Sequence, residues 1–233
     1  MTWVKIGLIG AMAEEIQLIE ERLEGLRATE KAGIRFMEGR LNGKDVVLCK
    51  SGVGKVNAAV CTQLLIDTFD VDAIVFTGVA GALAPELSIG DIVISTDCQQ
   101  HDVDVTALGF PRGTIPFAEQ SVFPAHPALV DLAYEASRVG FEGLAVKGRV
   151  LSGDQFIASR ETVRQLHEEL QGACTEMEGA AVAQVCAMNG VPYVVIRSMS
   201  DKADGSAHVN FAEFTVLASR HSYTIVDEML KRM

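Results

Sequence analysis

Positive charge is in short supply in this sequence. Twenty Lys and Arg stand against 31 Asp and Glu, a net charge of −11 over 233 residues, so an extended polyanion would be repelled by most of the surface and nucleic acid is a poor partner. Aromatics reach only 6% while hydrophobic residues make up 48%, which excludes a disordered chain and describes a compact aliphatic core. The five cysteines, Cys49, Cys61, Cys98, Cys174 and Cys186, are odd in number and show no C-x-x-C spacing. They read as reduced, buried thiols of a cytoplasmic protein, not as a disulfide framework or a zinc site. No apolar run approaches the ~18 residues of a membrane span. Lys5, a short apolar run and Ala11-Met12-Ala13 imitate a secretion signal, but Gly7 breaks the run and Glu14-Glu15 follow at once. Pro/Ser-rich linkers and internal repeats are missing as well, which leaves one domain over 1–233 as the economical reading.

What is present alternates between two periods. Val- and Ile-rich runs at 3–10, 45–50, 72–77, 91–96, 144–151 and 191–198 are short and nearly continuous, as in strands buried on both faces. Asn42-Gly43, between 35–41 and 44–50, predicts a type I′ hairpin and therefore a mixed sheet. Helical spacing predicts a helix over 13–24 with Gly25 at its C′ position, and others over 55–69, 127–139, 160–170, 178–189 and 211–231. The last is expected to open on a capping box of Asn210 and Glu213. The class is α/β.

Two glycine-rich stretches suggest nucleotide phosphate and fail on spacing. Ile6-Gly7-Leu8-Ile9-Gly10 is G-x-x-G, not G-x-G-x-x-G, and Ser51-Gly52-Val53-Gly54-Lys55 has Cys49 where a P-loop needs its first glycine. His101-Asp102-Val103-Asp104 resembles a metal cluster, but the other histidines show no H-E-x-x-H or H-x₃-H arrangement, so no metal and no cofactor is expected. Ser152-Gly153-Asp154 is not a nucleophile elbow. Acids, by contrast, recur just after strand-like runs: Glu14 and Glu15, Glu176 and Glu178, and Asp201. Each alone is explained by a helix dipole or a solvated turn. Their recurrence at the strand ends, where open α/β sheets bind ligands, points to a site.

Taken in order, KIGLIGAMAEEI, KSGVGKVNAA, TGVAGAL, GDIVIST, HDVDVTALG, SGDQFI, EMEGAA and VIRSMSD resemble the bacterial 5′-methylthioadenosine/S-adenosylhomocysteine nucleosidases of the nucleoside phosphorylase family, from about residue 5 to the C-terminal helix. The resemblance implies a mixed, partly barrel-like sheet surrounded by helices, a homodimer, and hydrolysis of a purine N-glycosidic bond. It implies Glu15 as general base on the attacking water with Arg197 helping to hold it, Asp201 at adenine N7, and Glu178 with the backbone of Met177 at the ribose. Phe156 would stack on adenine while main-chain groups of Ile157 meet its Watson–Crick edge. Met12, Val53 and Phe211, with Val105, Leu108, Phe110 and Pro116 from the partner subunit, would enclose the 5′-alkylthio group. The chain departs from the pattern at Val79, where the family often carries a serine whose hydroxyl can reach the water.

The chemistry agrees with these residue types. Breaking an N-glycosidic bond builds positive charge on the sugar and negative charge on the purine, so an acid near N7 and carboxylates near the ribose are what the reaction needs. Two other readings share the sequence: a futalosine-type hydrolase of the same fold, and a silent nucleoside-binding module. Glu15, Glu178, Arg197 and Asp201 together speak against the module, because binding alone does not need all four.

Overall fold

The computed structural model describes residues 3–139, 143–203 and 207–233, without the side chains of 207–213, 215 and 218. Among these residues the strands are β1 (Lys5–Gly10), β2 (Glu24–Lys31), β3 (Ile34–Leu41), β4 (Lys44–Lys50), β5 (Ala73–Ala82), β6 (Ile92–Gln100), β7 (Val122–Pro124), β8 (Ala145–Ser152), β9 (Gly172–Glu176) and β10 (Tyr193–Asp201). The helices are α1 (Ala13–Glu20), α2 (Lys55–Phe69), α3 (Pro127–Ser137), α4 (Arg160–Leu170), α5 (Gly179–Asn189) and α6 (Ala207–Arg232).

All the strands join one sheet in the order β10-β6-β8-β9-β5-β1-β4-β3-β2, with β7 on β6. Because β10 also pairs with β5, the first five close into a ring, the partly barrel-like sheet implied above. Strands β1, β5 and β10 are buried almost throughout, which is why they read as continuous apolar runs. The strands β10, β5, β1 and β4 run parallel to one another, whereas β6 is antiparallel to β10, and β8 and β9 follow β6. The oppositely running sets meet a second time where β5 pairs with β9, there only at their carboxyl ends, Gly81 against Thr175 and Ala82 against Cys174. The twist of the ring thus gathers the carboxyl ends of β5, β8, β9 and β10 in one place.

Helices α2 and α4 have the predicted limits, and Asn42 (φ 51°) and Gly43 (φ 79°) form the predicted hairpin turn. Three expectations need correction. The helix expected over 13–24 ends at Glu20, and the chain re-enters the sheet as β2. Gly25, at φ 66°, marks the register shift between Glu24 and Arg27, so it is a bulge glycine and not a helix C′. Helix α3 stops at Ser137, two residues short of 139. The last helix begins at Ala207, so Asn210 lies in its first turn and does not cap it; the side chains of Asn210 and Glu213 are outside the described residues.

Candidate active site

A cavity of about 360 Å³ opens where the strand ends converge. The turn from β1 into α1 brings Glu15 to its wall at the third helical position. Its Oε2 accepts the backbone N–H groups of Ala11 (2.6 Å) and Met12 (2.9 Å), and its Oε1 that of Val79 (3.0 Å). The carboxylate thus reaches back over its own helix start, as the acid of a capping box does, while remaining on the cavity wall.

Behind it lies Arg197, 1% exposed, in register with Gly78 of β5. A Cβ on Gly78 would come within 2.5 Å of Glu15 Oε1 and 2.7 Å of Arg197 Nη1, so only glycine lets the carboxylate and the guanidinium approach here. Arg197 donates through Nε (3.2 Å) and Nη2 (2.5 Å) to Glu176 and lies 3.9 Å over the ring of Phe76. Its Nη1 has no hydrogen-bond partner among the described residues. Glu176, the last residue of β9, also accepts a short hydrogen bond from Ser152 and the N–H groups of Glu178 and Gly179.

The two acids of Glu176-Met177-Glu178-Gly179 therefore divide their tasks. Glu176 satisfies the orphan donors at the start of α5 and neutralises Arg197. Glu178 occupies the N-cap position without a side-chain cap bond, and its Oε1 instead accepts the N–H of Gly54 at 2.8 Å. Asp201, at the end of β10, accepts from Ser200 Oγ (2.9 Å) and the N–H of Ala203 (2.7 Å).

Three carboxylates surround one buried guanidinium. Burial, and then the charge of Glu176, push Glu178 up to about 8, against the pull of Arg197 and the Gly54 N–H. Burial also raises Glu15, opposed by Arg197 and by the three backbone donors. Burial works against the charge on Arg197, yet Glu176, Glu15 and Glu178 outweigh it and raise its pKa.

The expected acids Glu15, Glu178 and Asp201 all line this cavity, as do Met12, Val53, Val79, Phe156, Ile157 and Met177. Arg197 is beside it but not on its wall. Val105, Leu108, Phe110 and Pro116 lie outside it, on the segment between β6 and β7. Phe211 is in α6, and its side chain is outside the described residues. Sequence reasoning missed the roles of Glu176, Ser152 and Gly78. The repeated acid of E-M-E-G and the serine opening SGDQFI were visible, but which acid faces Arg197 is decided by the register of β8, β9 and β10.

The ring of strands with acids gathered at its rim defines a member of the phosphorylase superfamily, whose family model matches residues 5–231. The chain is 44% identical to a 5′-methylthioadenosine/S-adenosylhomocysteine nucleosidase of Shewanella sediminis over 232 residues, 99% of this chain and 100% of that one. Its fold matches that of the nucleosidase of the same name from Neisseria meningitidis, solved with methylthio-immucillin-A, at a TM-score of 0.94 and 39% identity over 98% of this chain and 99% of that one. A futalosine hydrolase of Helicobacter pylori matches at a TM-score of 0.93 and 34% identity, covering 99% and 98%. The chain belongs to the phosphorylase superfamily and, within it, to the 5′-methylthioadenosine/S-adenosylhomocysteine nucleosidase family.

Proposed function

We infer that the protein is an N-ribosyl hydrolase that cleaves 5′-methylthioadenosine and S-adenosylhomocysteine, and 5′-deoxyadenosine with them, to adenine and the 5′-substituted ribose, as a step of methionine salvage. Glu15 takes the proton of the attacking water, and the free Nη1 of Arg197 supports that water from behind. Glu178 accepts from the ribose hydroxyls beside the backbone of Met177. Asp201 protonates the departing base at N7, while Phe156 stacks on the purine and the main chain of Ile157 meets its edge. General acid or base help is worth ~10²–10⁴-fold for each group. Val79 holds Glu15 through its backbone N–H but offers the water no hydroxyl.

One observation carries hydrolysis over phosphorolysis. Among the described residues that line the cavity there is no Lys, Arg or His, while Glu15, Glu176, Glu178 and Asp201 are all present. A phosphate dianion would find no cation on that wall to hold it, whereas a water molecule can be deprotonated by Glu15. The test is adenine release from 5′-methylthioadenosine with phosphate omitted: the expected rate is unchanged and the sugar product carries no phosphate. A strict phosphate requirement, or sugar 1-phosphate by mass spectrometry, would overturn the assignment. Absence of any adenine release would favour a binding module. Faster release from futalosine would favour the futalosine-type hydrolase, a reading consistent with the similar fold of the Helicobacter pylori protein.

The homodimer belongs to the same proposal. The cavity is unsealed at two apolar side chains, Val53 (49% exposed) and Phe156 (53%). The segment between β6 and β7 presents Leu108 (71%) and Phe117 (95%), the latter edge-on to Phe110 at 6.0 Å. Exposed apolar groups of this size call for a covering surface, and a second copy supplies one while closing the 5′ end of each cavity.

A further inference from the structure

Outside the cavity, three of the loops that serve it are joined by a ring of charged and polar groups. Lys55, the first residue of α2, places Nζ 2.6 Å from Asp102 Oδ1 and 2.9 Å from Gln100 Oε1. Its backbone N–H donates to Asp154 Oδ1 at 2.8 Å, and the N–H of Asp154 donates to Asp102 Oδ2 at 2.9 Å. The Lys55 and Asp102 side chains are only 18% and 14% exposed, so water competes weakly for the pair. Two of its members, Lys55 and Asp154, stand within two residues of the cavity wall at Val53 and Gln155. Lys55 follows Gly54, whose N–H holds Glu178, and Asp154 precedes Phe156 and Ile157 by two and three residues. Asp102 opens the segment that carries Leu108 and Phe110.

We propose that Lys55 and Asp102 are positioning residues for substrate: their ion pair, closed through Asp154, sets the ribose-holding turn at 51–54 and the base-stacking loop at 153–157 relative to one another. A carboxylate at 102 can accept from both Lys55 Nζ and the Asp154 N–H. An amide of the same size would turn a donor toward one of them, so the ring depends on the charge and not merely on the volume. Neither side chain reaches the cavity, so the pair acts on where the substrate sits and leaves Glu15 and Asp201 in place. This deepens the proposed function and rests on it for the identity of the substrate.

The experiment compares Asp102→Asn, Lys55→Met, the double variant and Lys55→Arg in the full chain, with steady-state kinetics on 5′-methylthioadenosine. Thermal melting and amide hydrogen exchange without substrate accompany the kinetics. Each of the first two variants is expected to raise KM about tenfold while kcat changes less than about threefold, the pattern of lost binding with intact chemistry. The double variant should be no worse than the poorer single one, because both break the same ring. Lys55→Arg, which keeps the cation, should restore most of the binding. Exchange at 51–56 and 153–157 should speed up in the first two variants with the melting temperature nearly unchanged. Unaltered KM and exchange would overturn the proposal, and so would equal losses in kcat and binding together with a large drop in melting temperature. If the wild-type protein releases no adenine from this substrate, the proposed function fails while the exchange measurement still decides the ring.

Discussion

A side chain in this site is defined by its donors as much as by its own chemistry. Glu15 is surrounded by three backbone N–H groups and a guanidinium, all of which favour its charge, yet burial outweighs them and its pKa is raised. A base must be ionised to accept a proton, so kcat/KM should fall as pH drops through a value above the ordinary 4.5 of a glutamic acid. Glu15→Gln should remove both the limb and the activity; more than a few per cent of residual turnover would move the base elsewhere. Asp201→Asn should lower kcat by about 10²–10⁴-fold while a substrate analogue still binds, because an amide can hydrogen-bond at N7 but cannot deliver a proton. Near-wild-type kcat would remove the general acid from the mechanism. Glu178 adds a stability effect whose sign can be worked out. With its pKa raised from 4.5 to about 8, the folded protein holds a proton that the unfolded chain has released across that window. Stability should therefore fall as pH rises from about 4.5 to 8, and Glu178→Gln should flatten that part of the melting profile. A wild-type slope no steeper than that of the variant would show that the proton is not held there.

At the level of elements, the helix that begins TEMEGAA shows how far spacing carries. Its apolar face and its acidic start are legible, and so is the site's use of an acid there. Which acid does which task is not, because Glu176 is bound by Ser152 from β8 and Arg197 from β10, contacts of sequence separation 24 and 21. Glu176→Gln should destabilise the fold by about 3–5 kcal/mol, since it leaves the Arg197 charge buried without its partner, and thermal or urea unfolding would report it. A loss below about 1 kcal/mol would mean that Arg197 finds Glu15 or Glu178 instead. The same limit explains the missed strand. All eight residues of β2 are exposed, so it carries no apolar alternation, and the helical spacing of Met12, Ile16, Ile19 and Leu23 runs straight into it. Its pairing is enforced by the turn at Ala32 (φ 51°) and Gly33 (φ 72°), a tight hairpin whose alanine gives no sequence signal for a left-handed position. Helix α2, by contrast, follows Gly54 (φ 100°) and ends at Asp70, which adopts αL, so its limits are marked in the sequence by residues suited to positive φ.

For the whole molecule, the closed ring of strands builds the cavity from one chain, while its apolar edge at Val53 is left partly exposed. In the proposed homodimer, HDVDVTALG and the residues after it would supply the missing wall from the partner, since in this chain they lie away from its own cavity. If the partner's Phe110 closes the 5′ end, Phe110→Ala should raise KM for 5′-methylthioadenosine more than for adenosine, since only the former presents an apolar methylthio group. Burying so small a group is worth ~1–2 kcal/mol, or about five- to thirtyfold in binding. Equal losses for both substrates would make the segment merely structural. Mixing subunits then separates action in trans from action in cis. In a heterodimer of Phe110→Ala with Asp201→Asn, the site with intact Asp201 receives its Phe110 from the other subunit, so it should show the wild-type KM. The opposite site lacks both groups and should be silent. After exchange between the two inactive or weak homodimers, the low-KM activity should therefore reappear, with kcat per heterodimer near half that of the wild-type dimer. Activity that keeps the raised KM of Phe110→Ala would place Phe110 in its own subunit's site and remove the reason for a shared one.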